Sequence, residues 1–417
     1  MSQVKQVYQE ILEKFSRDGQ IRSTEIKERM EQCFVKEGYR TPHAGAQRIL
    51  VVRLDEIGDN VLSSAFLREL RRNLPEAEID LLVKPVSYPL MELCPYVHRV
   101  LSAEGMPREN RLEDLFRWFG RICEDELWAR HYDICFVPRW DIDETWSALL
   151  SFICGAKERI GFSAHVYNAK AAMDQGGDQF FTHTIMTPPY VVHEVEKSLY
   201  LLKACGFSVE KDGIELWLSQ EDMDAAKALL PTSLPHGYLA VAVGTREKRK
   251  TYPVDRLVQA LRLLMPLGVP FVLLGGSGEE ADAAYIEQQL TTGSVCNFAG
   301  KTPLRVSAAL VSMCRLYLGG DTGLTHIAAA AKRPIVEWNC WPADVIVSAI
   351  GVFPRFFPWQ ASVTILRPAK ALGECKNIRP GLAELAGCQA ANESHCISTI
   401  APQKIADATM AMLQQEG

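Results

Sequence analysis

The apolar run Leu316-Tyr317-Leu318 passes through Gly319 and Gly320 into Asp321-Thr322-Gly323-Leu324-Thr325-His326, and then into the small-residue stretch Ile327 to Ala331. Apolar run, glycine-containing turn and helix start, in that order, predict a strand whose carboxyl end meets the positive end of a helix dipole. Phosphate is the commonest guest of such a turn, because backbone N–H groups are exposed there. A second segment of the same grammar lies far upstream, at Arg53-Leu54-Asp55-Glu56-Ile57-Gly58-Asp59-Asn60. Two such turns, in separate halves of one chain, point to a cleft enzyme.

The rest of the chain supports two α/β halves. At 417 residues, 47% of them apolar and 23% charged, it exceeds what one core usually holds. Residues 1–45 carry two helical stripes, Val4, Val7, Tyr8, Ile11, Leu12, Phe15 and then Ile26, Met30, Cys33, Phe34. This helical extension is expected to pack on the body or to join another subunit, so an oligomer through it is open. From Arg48 strands and helices alternate: strands at 48–54, 78–84, 97–102 and 132–137, and helices at 60–73, 108–130 and 193–205. A second alternating set runs from Gly237 to about residue 338. The expected domains are a Rossmann-like half at 46–210, a second at 211–370, and a cysteine-containing tail at 371–417 whose last helix, 402–415, returns to the first half.

The net charge of −6 argues against nucleic acid as a partner, while the local cluster Arg246, Lys248, Arg249, Lys250 suits a small anion. No stretch approaches the roughly 20 apolar residues of a membrane span, and the first residues lack the apolar core of a signal peptide. A cytoplasmic protein is expected, in contact with the inner membrane only peripherally at its cytoplasmic face. Cys135, Cys154 and Cys314 sit in apolar runs and read as buried thiols. In the tail, Cys375, Cys388, His395 and Cys396 are of a type to bind zinc or iron, but no CxxC pair is present, and packed or solvated thiols are the plainer reading.

Three segments carry the chemistry. Asp59 lies at the carboxyl end of the first strand, where open α/β sheets bind ligands, and reads either as a general base or as the N-cap of a helix beginning near Asn60. Gly58 lets that turn tighten. Gly244 to Pro253 again joins a strand to a helix, and a lysine there would neutralise a diphosphate without a divalent metal; a solvated charge run is the alternative. Gly275-Gly276-Ser277-Gly278 is not a GxGxxG, so ribose or base against the backbone is the expected use, with Glu279 or Glu280 accepting from ribose hydroxyls or simply opening a helix. The triplet Asp141-Ile142-Asp143 imitates a metal-binding DxD and is assigned no metal. His326 either touches the ligand or packs beneath the turn. His165, His183 and His193 read as structural or surface residues.

Taken together, Arg53 to Asp59, Thr245-Arg246 leading to Lys250 and Pro253, and Asp321 to His326 resemble glycosyltransferase family 9, the ADP-heptose:lipopolysaccharide heptosyltransferases. The likeness covers about residues 48–365. It implies a GT-B fold, with two Rossmann-like domains facing a cleft, and inversion at the anomeric carbon. By resemblance Asp59 is the base, with Arg53 and Gly58 on the acceptor side. Lys250 pairs with the donor diphosphate; Asp321 holds the donor sugar; Thr322, Gly323 and Leu324 form the phosphate turn; and Thr245, Arg246, Glu279 and His326 complete the donor site. The loop Glu247-Lys248-Arg249 is one residue longer than the family pattern, which leaves Lys248 as a rival to Lys250. The implied donor is a nucleotide sugar, ADP-heptose, with no cofactor; the acceptor is a saccharide, a lipid-linked sugar or a protein. A non-catalytic nucleotide-sugar-binding subunit and a nucleotide-sugar epimerase are the alternatives.

Overall fold

The structure, a computed structural model, describes residues 3–18, 22–40, 47–107, 111–231, 237–291, 293–344, 352–372 and 395–415. It divides into two compact units. The first contains residues 1–56 and 65–212; the second contains 57–64 and 213–417. The expected break near residue 210 is therefore met within a few residues. The short segment Ile57–Ser64 departs from expectation, because it belongs with the second unit.

The first unit is built on six parallel strands: β1 (Arg48–Arg53), β2 (Glu78–Val83), β3 (Arg99–Ser102), β4 (Ile134–Val137), β5 (Glu158–Phe162) and β6 (His183–Ile185). They lie in the order β3-β2-β1-β4-β5-β6, the doubly wound arrangement of dinucleotide-binding folds. Ile49, Leu50, Val51 and Val52 of β1 are all buried, as a central parallel strand covered on both faces requires. Its register is set by pairs such as Val51↔Leu81 on one side and Val51↔Phe136 on the other.

The predicted N-terminal helices are present at Gln3–Asp18 and Ser23–Lys36. Their stripe is used within the chain: Val4, Tyr8, Ile11, Ile26, Met30 and Phe34 join the core of the first unit. Tyr8 stacks on Phe116 with ring centroids 4.5 Å apart, meets Trp128 edge-on, and donates its hydroxyl to the Phe116 carbonyl. Gly120 makes room for this ring, since a Cβ there would collide with it. An oligomer formed through this stripe is thus not what the packing calls for. The helix expected at 60–73 is two helices, Ile57–Leu62 and Ser64–Asn73, broken where the Ser63 hydroxyl bonds back to the Asp59 carbonyl at 2.8 Å. The long helix near 108–130 is regular over Leu112–Ile122, loosens through Cys123–Leu127, and ends at His131 in a left-handed conformation (φ 51°).

The second unit repeats the topology without repeating the sequence. Its strands are β7 (Leu239–Ala242), β8 (Phe271–Leu274), β9 (Val295–Asn297), β10 (Leu316–Gly320), β11 (Ile335–Trp338) and β12 (Val363–Leu366). Their order, β12-β11-β10-β7-β8-β9, is the same pattern read from the opposite edge. The terminal helix Pro402–Gln415 packs Ile405, Ala406 and Met412 into this unit's own core, on the Val254–Leu264 helix, and the Tyr252 hydroxyl donates to the Ile400 carbonyl at 2.6 Å. The expectation that it returns to the first half is corrected: its apolar side matches the surface of the unit that precedes it in sequence.

Because Tyr8 fastens the extension to the first core, Tyr8→Ala should cost about 3–5 kcal/mol. A lowered urea midpoint, with the protein otherwise able to fold, is the expected result; an unchanged midpoint would show that the extension contributes nothing.

Candidate active site

In a sheet of this order, the strand direction of successive connections reverses between the two central strands, and loops leaving their carboxyl ends splay apart to leave a ligand-sized gap. In the second unit those strands are β7 and β10. The loop after β7 carries Thr245 to Thr251, and the loop after β10 is Asp321-Thr322. They are joined by Lys250, whose Nζ lies 3.0 Å from Asp321 Oδ2 and 3.3 Å from Glu247 Oε1. The loop holds its shape through Thr245 Oγ1, which donates to the Glu247 carbonyl at 2.6 Å, and through the Arg249–Glu247 ion pair at 2.7 Å.

Burial opposes both charges of the bridge, yet each is held. Desolvation works against the Lys250 ammonium, but Asp321 and Glu247 outweigh it and raise its pKa. Desolvation likewise works against the Asp321 carboxylate, and Lys250 more than offsets it, lowering the pKa. His326 behaves differently. Burial pushes its imidazole down to about 4 despite the pull of Asp321, so it is neutral at ordinary pH. Its Nε2 stands 3.9 Å from Asp321 Oδ1, beyond hydrogen-bond range.

After Asp321 the chain turns into the Gly323–Ala330 helix, with extended Thr322 (φ −140°, ψ 168°) as its N-cap. The Thr325 hydroxyl donates to the Tyr317 hydroxyl at 3.1 Å and contacts the Gly320 carbonyl, which pins the turn onto β10. Gly323 and Leu324, first in the helix, present N–H groups that have no intrahelical acceptor by geometry. Two glycines bring the Ile57–Leu62 helix onto this one. A Cβ on Gly323 would lie 2.8 Å from Ile57 Cγ2, and a Cβ on Gly58 2.5 Å from His326 Cδ2. Asp59, next to Gly58, is thereby attached to the helix that opens at the phosphate turn. It is the third residue of its own helix rather than the N-cap, because that helix begins at Ile57.

The first unit has the same junction, between β1 and β4, closed by different residues. Asp55 pairs with Arg139 and, at 3.2 Å, with Arg53 Nε. Arg53 also donates to Glu194 Oε1 at 2.8 Å and to the Pro138 carbonyl at 2.6 Å. With Arg53 1% exposed and Glu194 2%, this network is internal.

The heptosyltransferase family profile, glycosyltransferase family 9, matches residues 125–337, just over half the chain. The protein belongs to glycosyltransferase family 9. It is a glycosyltransferase with a GT-B fold. It is 22% identical over 307 residues to lipopolysaccharide heptosyltransferase 3 of Escherichia coli K12, covering 69% of this chain and 84% of that one. Among solved structures it resembles a family 9 glycosyl transferase of Veillonella parvula, with TM-score 0.68, 18% identity, and 90% and 99% of the two chains covered. It also resembles the ADP-heptose LPS heptosyltransferase II of E. coli, with TM-score 0.64, 19% identity, and 89% and 99% covered. At these identities the two structures speak for the fold.

Within this family 9 enzyme, the second unit gathers Gly58, Asp59, Thr245, Lys250, Glu279, Asp321, Thr322, Gly323, Leu324 and His326. Arg246 and Lys248 are exposed, so it is Lys250 that reaches Asp321 despite the longer loop. Glu279 accepts from the Gly276 N–H at 2.7 Å, and its stem covers Gly244 and Gly275 at the ends of β7 and β8. Arg53 is corrected: it is an internal counter-ion of Asp55 and Glu194, not an exposed acceptor contact. Gly58 is corrected too, since it faces His326. The Asp141/Asp143 pair is structural, with Asp143 capping the Ser147–Ile153 helix through Ser147 and Ala148 at 2.8 Å. His193 is the N-cap of the Glu194–Ala204 helix. Cys135, Cys154 and Cys314 are buried as expected. Cys375 and Cys388 lie outside the described residues; Cys396 is buried, with Sγ 3.4 Å from His395 Nδ1 and accepting from the Leu372 N–H. Among the described residues no helix is long and apolar enough to cross a membrane.

Sequence reasoning missed Glu194, Arg139, Tyr317 and Glu337. Glu337, 1% exposed, is the most unusual, because burial and the nearby Asp321 push its carboxyl up to about 8.

The two-glycine contact is open to direct test. Gly58→Ala should destabilise the enzyme by about 1–3 kcal/mol through overpacking against His326, whereas Gly278→Ala, with open space around it, should be near neutral. Equal melting temperatures for both variants would refute the close packing.

Proposed function

We propose that this enzyme transfers heptose from ADP-heptose, with inversion and without a divalent metal, to a saccharide acceptor of the lipopolysaccharide type. The reading is carried by the Lys250–Asp321 bridge, set between the two central strand ends at the start of the Gly323–Ala330 helix. The printed name of the solved E. coli relative supplies the donor.

In this mechanism Asp59 takes the proton from the acceptor hydroxyl as its oxygen forms a bond to the anomeric carbon. The bond from that carbon to the diphosphate oxygen breaks, and its electron pair leaves with the nucleoside diphosphate. Lys250 and the N–H groups of the 322–324 turn receive the developing charge, which is where preorganised donors act most strongly. Asp321 steadies Lys250 and meets the donor sugar, and Glu279 lies at the strand ends where a ribose would be met. A base on one face and a stabilised leaving group on the other give inversion through an oxocarbenium-like state.

Calorimetry with ADP, UDP, GDP and CDP, with and without magnesium, is expected to show selective ADP binding that EDTA leaves unchanged. Preference for another nucleotide would overturn the donor, and ADP binding with no transfer to any acceptor would indicate a binding subunit. Asp59→Ala should retain ADP binding and lose transfer; full activity in this variant would remove Asp59 from the chemistry. For Lys250→Ala, ADP affinity should fall by about 1.5–3 kcal/mol, the worth of a hydrogen bond to a charged group. Stability should fall as well, since Asp321 would be left largely buried without its cation.

A further inference from the structure

Beneath the phosphate turn lies a second layer of polar groups. In the β10–β11 register Gly319 pairs with Glu337, so their outward directions coincide, and Tyr317, two residues earlier, shares that face. The Tyr317 ring lies over Gly319, where a Cβ would collide with it, and its hydroxyl contacts Thr322 and Thr325 of the turn at 3.3 and 3.1 Å. Glu337 Oε1 accepts from Asn339 Nδ2 at 2.8 Å. Its Oε2 is buried and has no hydrogen-bond partner among the described residues.

An ionised carboxylate suits this place badly. Asp321 adds a like charge, and the cation that acts on Glu337, Lys250, is already shared between Asp321 and Glu247. The remaining groups around it offer no second cation. Arg249 is paired with Glu247, His326 is neutral, and Tyr317 and Cys340 are buried. Lys250 and Arg249 balance Asp321 and Glu247 only while Glu337 is neutral. Once ionised, it leaves the site with a net negative charge, opposed to any diphosphate.

We propose that Glu337 is a positioning residue of the donor site and must carry its proton for the site to accept a nucleoside diphosphate, acting through Asp321 and Lys250 rather than by touching the ligand. This rests on the donor reading above. An anionic ligand binds the protonated form better, so affinity falls as pH rises through the Glu337 titration, at about 8. The folded pKa lies above the ordinary 4.5, so stability also declines as pH climbs from 4.5 through about 8.

The test is calorimetry of ADP with the full chain between pH 7.5 and 9.5, where the terminal phosphate of ADP is already ionised. The parent's Kd should rise about fivefold, as one added charge nearby would cause, while Glu337→Gln, which keeps the shape of the neutral acid, should hold the parent's pH 7.5 affinity throughout. Cys340→Ser should behave as the parent, excluding the thiol that stands 4.0 Å from Arg249. A flat response in the parent, or the same fall in Glu337→Gln, overturns the proposal alone; failure of the parent to bind ADP at any pH removes the donor reading with it. If Glu337→Gln folds poorly, proton uptake by the parent on binding ADP at pH 8, read from the dependence of binding heat on buffer ionisation, decides the matter. Uptake is expected, and its absence overturns the proposal.

Discussion

Everything at the donor site depends on one ion pair placed where two loops would otherwise drift apart. Parallel strands β7 and β10 end side by side, and the chain beyond each must turn away to reach its own helix. Lys250 and Asp321 tie the two turns together across that gap. With side chains only 16% and 11% exposed, neither charge would be tolerated alone, so each makes the position of the other obligatory. Glu247 then orients Lys250 from behind, and Arg249 holds Glu247. The first unit meets the same geometric problem between β1 and β4 and answers it with Asp55, Arg139, Arg53 and Glu194. Topology imposes the requirement for a bridge; residue identity decides whether the bridge is sealed inside or left beside a helix N-terminus.

The second constraint is steric. Gly58 and Gly323 remove the two methyl-sized obstacles between the Ile57–Leu62 and Gly323–Ala330 helices. Their loss from the contact would separate Asp59 from the phosphate turn as well as loosen the packing. This explains why a segment that follows the first strand in sequence belongs with the second unit in space. Covalent order and compact grouping part company at the place where a candidate base must stay near a candidate leaving-group site.

Local pattern made the architecture legible. Continuous apolar runs such as Ile49–Val52 and Leu316–Leu318 can only be covered parallel strands, and the turns after them announce themselves by glycine, aspartate and a following small-residue helix. Lys250 and Asp321 were legible for the same reason. Arg53 was misread because a charge at a strand end looks functional, while its partner Glu194 lies 141 residues away and gives no local sign. Glu337 was invisible because Ile335-Val336-Glu337-Trp338 reads as ordinary strand alternation with a solvated face; only the covering layers show that face to be buried. The direction taken by the terminal helix depended on which unit offered the matching apolar surface, a tertiary fact absent from its own amphipathic pattern.

These features also shape how a diphosphate would be received. Lys250 is not a waiting cation: in the unliganded protein it is already satisfied by two carboxylates. Binding therefore exchanges part of a carboxylate partnership for phosphate oxygens, which lowers the net Coulombic gain and leaves the loop geometry nearly unchanged. Because that gain is small, it is sensitive to the remaining charge nearby, and Glu337 is the neighbouring group whose charge changes near neutral pH. A site that is close to electrically neutral when empty discriminates by the fit of donors to the helix N-terminus and the loop backbone, since a generic anion would recover too little from Lys250 alone to displace Asp321.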